Sequence, residues 1–226
     1  MAPYVQEDSF IAVEMEEDMA KIKLTYFDID GGRAEPVRLA LSLGGIEFED
    51  HRISFAEFAT LREDMPLGAL PVVDIDGVLY TQANAMCRYF GKLAGLYPSD
   101  PWQAFLGDEV LEIVEDATLA LGRTFHLKGD ELKTARAALV DGMYTRCLKT
   151  LEKRLAAAGG EYFADRRLTV ADLKVYVWIK RLKSGALDHV PIDLTDKVAP
   201  SLVQHMERMD KLPGVAAYYV ERRAAS

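Results

Sequence analysis

The sequence predicts an α/β N-terminal domain followed by an all-α C-terminal helical domain, and three observations carry this prediction. In the first half, β-branched and aromatic runs alternate with segments of helical periodicity, and two later apolar runs flank an Asp-Gly turn. After a proline-rich break at 97–101, strand signals almost disappear. We therefore expect a flexible extension at 1–20, an α/β domain at 21–98 and a helical domain at 102–226.

The first strand and helix of the α/β domain have clear sequence signals. A β-branched and aromatic run at 21–27 predicts a strand that ends at a turn. A helix is expected from Arg33, with Pro36 in its first turn, where the missing N–H of proline costs nothing. The pair Gly44-Gly45 predicts the end of this helix.

The next segment adds a second strand and a hairpin. Residues 47–53 fit a strand, and a loop or short helix follows to Met65. Two apolar runs then flank Asp76-Gly77, which is the pattern of a two-residue hairpin, before helical periodicity resumes over 82–93. The order β-α-β-α-β-β-α predicts two parallel strands joined by a helix, with an added hairpin.

The second half of the chain is predicted to be helical. Apolar periodicity indicates helices at 102–121, 131–158, 170–183, 200–211 and 215–222. Thr169 and Asp172 have the spacing of a capping box at the start of the third of these helices. This motif predicts a structural role and carries no catalytic information.

Charge and composition argue against several classes of partner. The net charge is -9, and no Lys/Arg cluster is large enough to follow a phosphate backbone, so we expect neither nucleic acid nor an anionic membrane as a partner. A local basic pocket could still bind a small anion.

The first twenty residues have neither the basic-then-apolar order of a signal peptide nor the Arg-rich, acid-poor composition of a transit peptide. Cys87 and Cys147 lie in apolar stretches without metal-ligand spacing, which predicts buried, reduced thiols and a cytoplasmic location.

Four motifs, in this order along the chain, resemble those of cytosolic glutathione transferases: LTYFDIDGGRAEPVRLAL, MPLGALPVVDIDG, TQANAMCRYF and LTVADL. The resemblance covers nearly the whole chain. YFDIDGGRAE together with EFEDHRISFAEF resembles the sigma class, which includes glutathione-dependent prostaglandin D synthases. The resemblance implies a thioredoxin-like glutathione-binding N-terminal domain, an all-helical second domain, glutathione as cosubstrate and a two-fold homodimer.

Tyr26 is the first candidate catalytic residue. It ends the predicted first strand directly before a turn, and ligands of α/β sheets gather at that carboxyl edge. The alternative to a catalytic role is that Tyr26 is an ordinary aromatic side chain packed in the core. A hydroxyl at the edge could stabilise a thiolate, and lowering a thiol pKa by about two units requires roughly 2.7 kcal/mol. The resemblance implies that Tyr26 activates the glutathione thiol and that Arg33 lies beside the hydroxyl as its electrostatic partner.

The resemblance also implies a set of residues that hold the glutathione peptide. These residues are Phe58, Arg62, Ala69, Leu70, Pro71, Gln82, Ala83 and, from the partner subunit, Asp116. The Leu70-Pro71 bond matches a family segment in which this bond is cis. A cis bond there would turn the Leu70 backbone towards a bound peptide.

Three of these positions depart from the family pattern. Ala83 replaces a serine, so one hydrogen bond to the γ-glutamyl carboxylate is lost. Phe58 replaces a tryptophan and cannot donate to the glycyl end. Arg62 replaces a lysine, and its guanidinium can bind a carboxylate bidentately.

Glu112, Glu115 and Asp116 form an acidic run with i, i+3, i+4 spacing on one predicted helix. The default interpretation is a solvated helix face. The resemblance implies that Asp116 reaches the amino group of the partner's glutathione and that the cluster holds a divalent cation in prostaglandin synthases. Because two of the three positions are Glu here, we expect no bound metal.

The expected function is conjugation of the glutathione thiolate to small hydrophobic electrophiles. Two alternatives stay open: a glutathione-dependent prostaglandin or peroxide isomerase, and a weakly catalytic glutathione-binding or crystallin-like protein. Arg123 lies roughly where the synthases have a tryptophan, which favours conjugation. The second-substrate pocket is expected at the turn 28–32, at 117–125 and at the C-terminal end.

Overall fold

The computed structural model describes residues 20–224, so the extension predicted at 1–20 lies outside this range except for Ala20. A four-stranded mixed sheet with strand order β2-β1-β3-β4 organises the first part of the chain. Strand β1 is parallel to β2 and antiparallel to β3, which pairs antiparallel with β4. The strands are β1 (Ile22–Phe27), β2 (Glu49–Ile53), β3 (Val72–Ile75) and β4 (Val78–Tyr80).

Helices surround this sheet and form the second part of the described chain. The helices within the α/β part are α1 (Glu35–Leu43), α2 (Phe55–Leu61) and α3 (Ala83–Leu93). The later helices are α4 (Pro101–Gly122), α5 (Gly129–Leu139), α6 (Thr145–Ala157), α7 (Val170–Lys183), α8 (Leu194–Val198), α9 (Pro200–Asp210) and α10 (Pro213–Ala224). The predicted fold class, an α/β domain followed by a helical domain, is confirmed.

The element order of the α/β part is also as predicted, because its signals are local. Asp76 and Gly77 have φ values of 54° and 85°, so both central residues of the hairpin turn are left-handed. Helix α1 begins at Glu35 rather than at Arg33, because the residues before it form a turn. It ends at Leu43, before the predicted glycine pair.

Two features of the helical part differ from the prediction. The single helix expected at 131–158 is interrupted by a π-helical turn, Val140–Tyr144, which separates α5 from α6. Helix α8 has five residues and was not predicted, since one turn and a half of helix gives little periodic signal.

Helix α7 connects the two hydrophobic cores. Val170, Leu173 and Val177 pack in the core that contains the sheet and α1, whereas Val175 and Ile179 pack in the core formed with α4 and α6. Buried on almost every side, α7 joins the sheet to the helical part.

The predicted capping motif at the start of α7 is confirmed and is fully buried. The carboxylate of Asp172 accepts hydrogen bonds from the N–H and the hydroxyl of Thr169, at 2.9 and 2.8 Å. It also accepts from the N–H of Phe163 at 3.0 Å and lies 3.1 Å from Nε2 of His205. Asp172 therefore joins the loop before α7 to α9.

Cys87 and Cys147 are buried and unpaired, as predicted. Burial raises the pKa of the Cys87 thiol to about 11, so this thiol is unreactive at neutral pH. Within residues 20–224, none of the helices combines the length and the apolar character that a membrane crossing needs.

Candidate functional site

The candidate site lies at the sheet edge where β1 and β2 end and β3 begins. Thr25 of β1 pairs with Val72 of the antiparallel strand β3, so Tyr26 is level with the residues that precede Val72. The Leu70-Pro71 peptide bond is cis, as the resemblance implied. Topology therefore brings Tyr26 and the Leu70-Pro71 segment to one edge.

Tyr26 lies at this edge, with its hydroxyl hydrogen-bonded to the turn that follows β1. Its side chain is 7% exposed, and its hydroxyl oxygen accepts a hydrogen bond from the backbone N–H of Arg33 at 3.2 Å. Burial raises the pKa of Tyr26, although the N–H of Arg33 and the guanidinium groups of Arg33 and Arg38 oppose this shift. Tyr26 is therefore neutral at neutral pH, and its own proton remains available for donation.

Gly32 lies against the Tyr26 hydroxyl, which sequence reasoning missed. Its φ is +71°, and a Cβ at this position would lie 2.7 Å from the Tyr26 oxygen and 2.9 Å from Cε1. Only glycine fits both this conformation and this close approach. The Gly31-Gly32 pair in the sequence was the available signal.

Replacing Gly32 with Ala is expected to lower the free energy of unfolding by about 1–3 kcal/mol and to displace Tyr26. Gly45→Ala is a matched control, because Gly45 has φ +63° but no heavy atom within 4 Å of the position that an alanine methyl group would occupy. Urea unfolding should show a loss of stability in both variants. Only Gly32→Ala should also lower the rate of thiol conjugation, and equal rates in the two variants would contradict this role.

Two arginines, Arg38 and Arg52, donate hydrogen bonds that stabilise the turn before Arg33. Arg38 is fully buried, donates to Asp50 at 2.8 Å and to Glu35 at 3.1 Å, and reaches the carbonyl of Ile29 at 3.3 Å. Arg52 donates to the same carbonyl at 3.1 Å and to Asp50 at 2.7 Å. These bonds fix the turn that brings Gly32 and Arg33 to Tyr26.

The acidic run on α4 is divided among several partners. Glu115 lies 2.9 Å from Nε of Arg33, in an ion pair without hydrogen-bond alignment, and 2.8 Å from Nζ of the buried Lys174. Glu112 pairs with Arg88 at 2.6 Å. Asp116 is exposed, and its side chain has no hydrogen bond or ion pair within residues 20–224. In that same range, no three His, Cys, Asp or Glu side chains are grouped to hold a metal ion.

A cavity of about 910 Å³ opens beside Tyr26. Six of the predicted site residues line it: Tyr26, Arg33, Phe58, Arg62, Ala69 and Leu70. Lining residues that were not predicted as site residues include Phe27, Phe55, Lys174, Val177, Trp178 and Arg181. The cavity thus joins the sheet edge to the inner face of α7.

Three phenylalanines and an arginine form the outer wall of this cavity. The ring of Phe27 stacks on Phe55 at 4.3 Å between centroids and meets Phe58 edge-on at 5.4 Å. Phe58 is therefore a packed aromatic, as its lack of a donor suggested. Arg62 donates through Nε to the carbonyl of Gly68 at 3.2 Å, and its exposed guanidinium remains accessible.

The other predicted site residues do not line the cavity. Pro71, Gln82 and Ala83 lie at the same sheet edge, since Tyr80 at the end of β4 pairs with Val73 near the start of β3. Gln82 is exposed with φ 77°, directly before the first residue of α3. Asp116 projects from α4 outside the cavity lining.

The lining of this cavity differs in one respect from the lining predicted for the second-substrate pocket. The turn 28–32 and the segment 117–125 contribute lining residues as expected, but α7 stands where the C-terminal end was expected. Among the described residues, none after Arg181 lines the cavity. Helix α10 instead packs behind the turn, where Arg222 donates to Asp28 at 2.6 Å and to Asp30 at 3.0 Å.

Comparisons with known proteins bear on the family and the fold of the chain. Residues 22–92 match the glutathione S-transferase N-terminal domain, and residues 116–222 match its C-terminal domain. Glutathione S-transferase 1 of Ascaris suum is 30% identical over 209 residues, which cover 90% of this chain and 98% of that protein. Hematopoietic prostaglandin D synthase of Gallus gallus is 29% identical over 205 residues, with coverage of 90% and 98%.

A solved structure gives the same assignment. The structure of prostaglandin synthase D of Nilaparvata lugens superposes with a TM-score of 0.79 at 26% identity, covering 89% of this chain and 98% of that one. This match confirms the thioredoxin-like and helical architecture, and the curated relatives confirm the predicted family. The chain belongs to the glutathione S-transferase family.

Proposed function

We propose that the protein is a sigma-class glutathione transferase that activates the glutathione thiol with Tyr26 and conjugates it to small hydrophobic electrophiles. The observation that carries this proposal is the hydroxyl of Tyr26. Its oxygen accepts from the N–H of Arg33, its own proton has no acceptor among residues 20–224, and the residue lines a cavity of substrate size.

The mechanism follows from the charge that develops on sulfur. A free thiol with a pKa of about 8.5 is only a few per cent thiolate at neutral pH. The thiol proton leaves to water, and a donated O–H from Tyr26 and the positive field of Arg33 stabilise the thiolate, which then attacks an electrophilic carbon. The acceptor bond from Arg33 polarises the hydroxyl and strengthens it as a donor.

The proposal assigns the remaining residues to the glutathione peptide. Arg62 would bind the glycyl carboxylate with its exposed guanidinium, and the backbone of Ala69 and Leu70 would pair with the peptide. Gln82 and the N–H groups at the start of α3 would bind the γ-glutamyl carboxylate.

Calorimetry and a conjugation assay test this function together. We expect heat on titration with millimolar glutathione, and turnover with a panel of aryl halides and conjugated carbonyl compounds. A chain that binds no glutathione in calorimetry and shows no thermal shift would exclude the proposal. Binding without turnover of any electrophile would favour the crystallin-like alternative.

A second candidate function is isomerisation of a prostaglandin endoperoxide with the same thiolate. The similarity to a protein named hematopoietic prostaglandin D synthase and to the structure of a prostaglandin synthase D favours it. Arg123, at the position roughly matching a tryptophan of the synthases, is exposed at the end of α4 and does not line the cavity. This position therefore contributes no aromatic side chain to the cavity wall. Product analysis with an endoperoxide substrate distinguishes the two reactions.

Replacing Ala83 with Ser is expected to tighten glutathione binding by about ten-fold, because it restores a charge-assisted hydrogen bond at the start of α3. Ala83 is 5% exposed and a hydroxyl adds little volume. Ala85→Ser, on the exposed side of the same helix turn, is the control. A dissociation constant that does not fall in Ala83→Ser would show that another group already satisfies the carboxylate.

We further propose a cytoplasmic homodimer in which Asp116 of one subunit meets the glutathione amino group of the other. The carboxylate of Asp116 is exposed and has no partner within residues 20–224, and a two-fold interface would complete both sites with one residue type. Asp116→Asn should weaken glutathione binding several-fold without a change in thermal stability. A fully active monomer in sedimentation at micromolar concentration would contradict this arrangement.

A further inference from the structure

The cavity wall on α7 carries charges that a neutral hydrophobic electrophile does not require. Lys174, Val177, Trp178 and Arg181 have i, i+3, i+4, i+7 spacing, which places them on one face of the helix. All four line the cavity beside Tyr26. The face is therefore apolar in its middle and cationic at both ends.

The two cations on this face differ in how their charges are balanced. Lys174 is 3% exposed and lies 2.8 Å from Glu115, but this single carboxylate also faces Arg33 at 2.9 Å. The side chain of Arg181 forms no hydrogen bond or ion pair with any residue between 20 and 224. Arg181 thus lines the cavity without a carboxylate partner in the described part of the chain.

The rest of the lining strengthens this imbalance. Of the described residues that line the cavity, four are cationic, including Arg33 and Arg62, and none is Asp or Glu. Leu121 and Phe125 extend the apolar surface next to α7. A cavity with apolar walls and positive charge suits an amphipathic anion, because burial from water strengthens each charge–charge contact.

We propose that the second substrate is an amphipathic organic anion whose carboxylate binds Arg181 while its electrophilic carbon faces the sulfur beside Tyr26. The reaction rests on the proposed transferase function, whereas the binding step does not.

The helix geometry sets the length of this substrate. Lys174 contacts Glu115, which contacts Arg33, whose N–H bonds to Tyr26, so the Lys174 end of the face marks the sulfur end of the cavity. Arg181 is seven residues further along α7, which corresponds to about 10 Å along the helix axis. The anionic group should therefore lie roughly 10 Å from the electrophilic carbon.

For a conjugated ketone the chemistry balances without a further reactant. The thiolate sulfur forms a bond to the terminal alkene carbon, and the alkene electron pair moves to give an enolate. The enolate carbon then takes a proton from water, replacing the proton that the thiol released. The carboxylate at Arg181 takes no part in these bond changes and only positions the ketone.

A matched pair of probes tests the proposal. One is an aryl vinyl ketone with an oxyacetate group para to the ketone, and the other is its methyl ester. After correction for the uncatalysed rates, we expect kcat/KM of the wild type to favour the acid by about ten-fold or more. The preference should fall as ionic strength rises, since a charged contact is screened.

Variants at two arginines locate the contact. Arg181→Gln should remove the preference for the acid, mainly through KM, while turnover of the ester is retained. Arg181→Lys keeps the charge and should restore part of the preference. Arg123→Gln is the matched control, because Arg123 is exposed and lies outside the cavity lining, and it should leave the preference unchanged.

Binding of an unreactive analogue separates this inference from the transferase function. The saturated ethyl ketone acid and its ester are titrated calorimetrically without glutathione, and the acid should bind more tightly in the wild type but not in Arg181→Gln. If the acid binds in this way yet no conjugation occurs, the transferase proposal fails and the anion site stands. If both ketones are conjugated equally and neither analogue binds preferentially, the anion site is wrong and the transferase proposal stands.

Discussion

Replacing Tyr26 with Phe is expected to lower turnover with glutathione by about two orders of magnitude, as for the loss of one donor to a developing anion. The Tyr26 oxygen accepts a hydrogen bond from the N–H of Arg33 at 3.2 Å, and the proposed mechanism requires its hydroxyl to donate towards the cavity. Phe keeps the ring packing but removes the donor. Stability should change by only about 1 kcal/mol, because one net hydrogen bond is lost.

The pH dependence distinguishes thiol activation from a packing effect. Because the rate rises as the bound thiol ionises, the pH profile of kcat/KM for the electrophile, measured at saturating glutathione, should shift to higher pH in Tyr26→Phe, towards the free thiol pKa of about 8.5. Burial raises the pKa of Tyr26, so the wild-type profile should show no limb from tyrosine ionisation below about pH 10. Ultraviolet absorbance of the bound thiolate at neutral pH gives an independent measurement.

Tyr89→Phe is the matched control for this experiment. Tyr89 is 51% exposed, and its ring contacts only the neighbouring Phe90 among the aromatic residues of the described chain. Its replacement should leave both the rate and the pH profile unchanged. A Tyr26→Phe variant with a near-native rate would mean that another group activates the thiol.

The sheet and the position of Tyr26 could be predicted because their signals are local. Each of three features is encoded by a few consecutive residues: the strand that contains Tyr26, the Asp76-Gly77 turn and the break before α4. Motif resemblance then placed Leu70-Pro71 at the same edge, and the cis bond and antiparallel pairing agree with that placement.

The α7 wall could not be predicted, because it depends on packing between distant elements. Lys174 and Arg181 lie in a helix whose apolar periodicity indicates a core helix. Their position at the cavity requires α7 to cross beside α4, where Glu115 meets Lys174. The interruption between α5 and α6 was also not predicted, since the π-helical turn, Val140–Tyr144, contains no proline that would mark it in the sequence.

Of the variants proposed, Asp172→Ala is expected to lose the most stability. The carboxylate of Asp172 is fully buried and accepts the N–H groups of Thr169 and Phe163 as well as the Thr169 hydroxyl. Removing it leaves at least two buried backbone donors without a partner, and each costs about 1–3 kcal/mol. We therefore expect the free energy of unfolding to fall by about 3 kcal/mol or more.

The midpoint of urea unfolding, measured at a fixed protein concentration, tests this expectation. Asp141→Ala is the control, because Asp141 is exposed and its side chain has no hydrogen bond or ion pair in the described part of the chain. Asp172→Asn keeps the volume but turns one acceptor oxygen into an NH₂ group that faces the donors of Thr169 or Phe163, so its loss should approach that of Asp172→Ala. If the Asp172→Ala midpoint moves no further than the control, the buried carboxylate is not what holds the start of α7 to the loop before it and to α9.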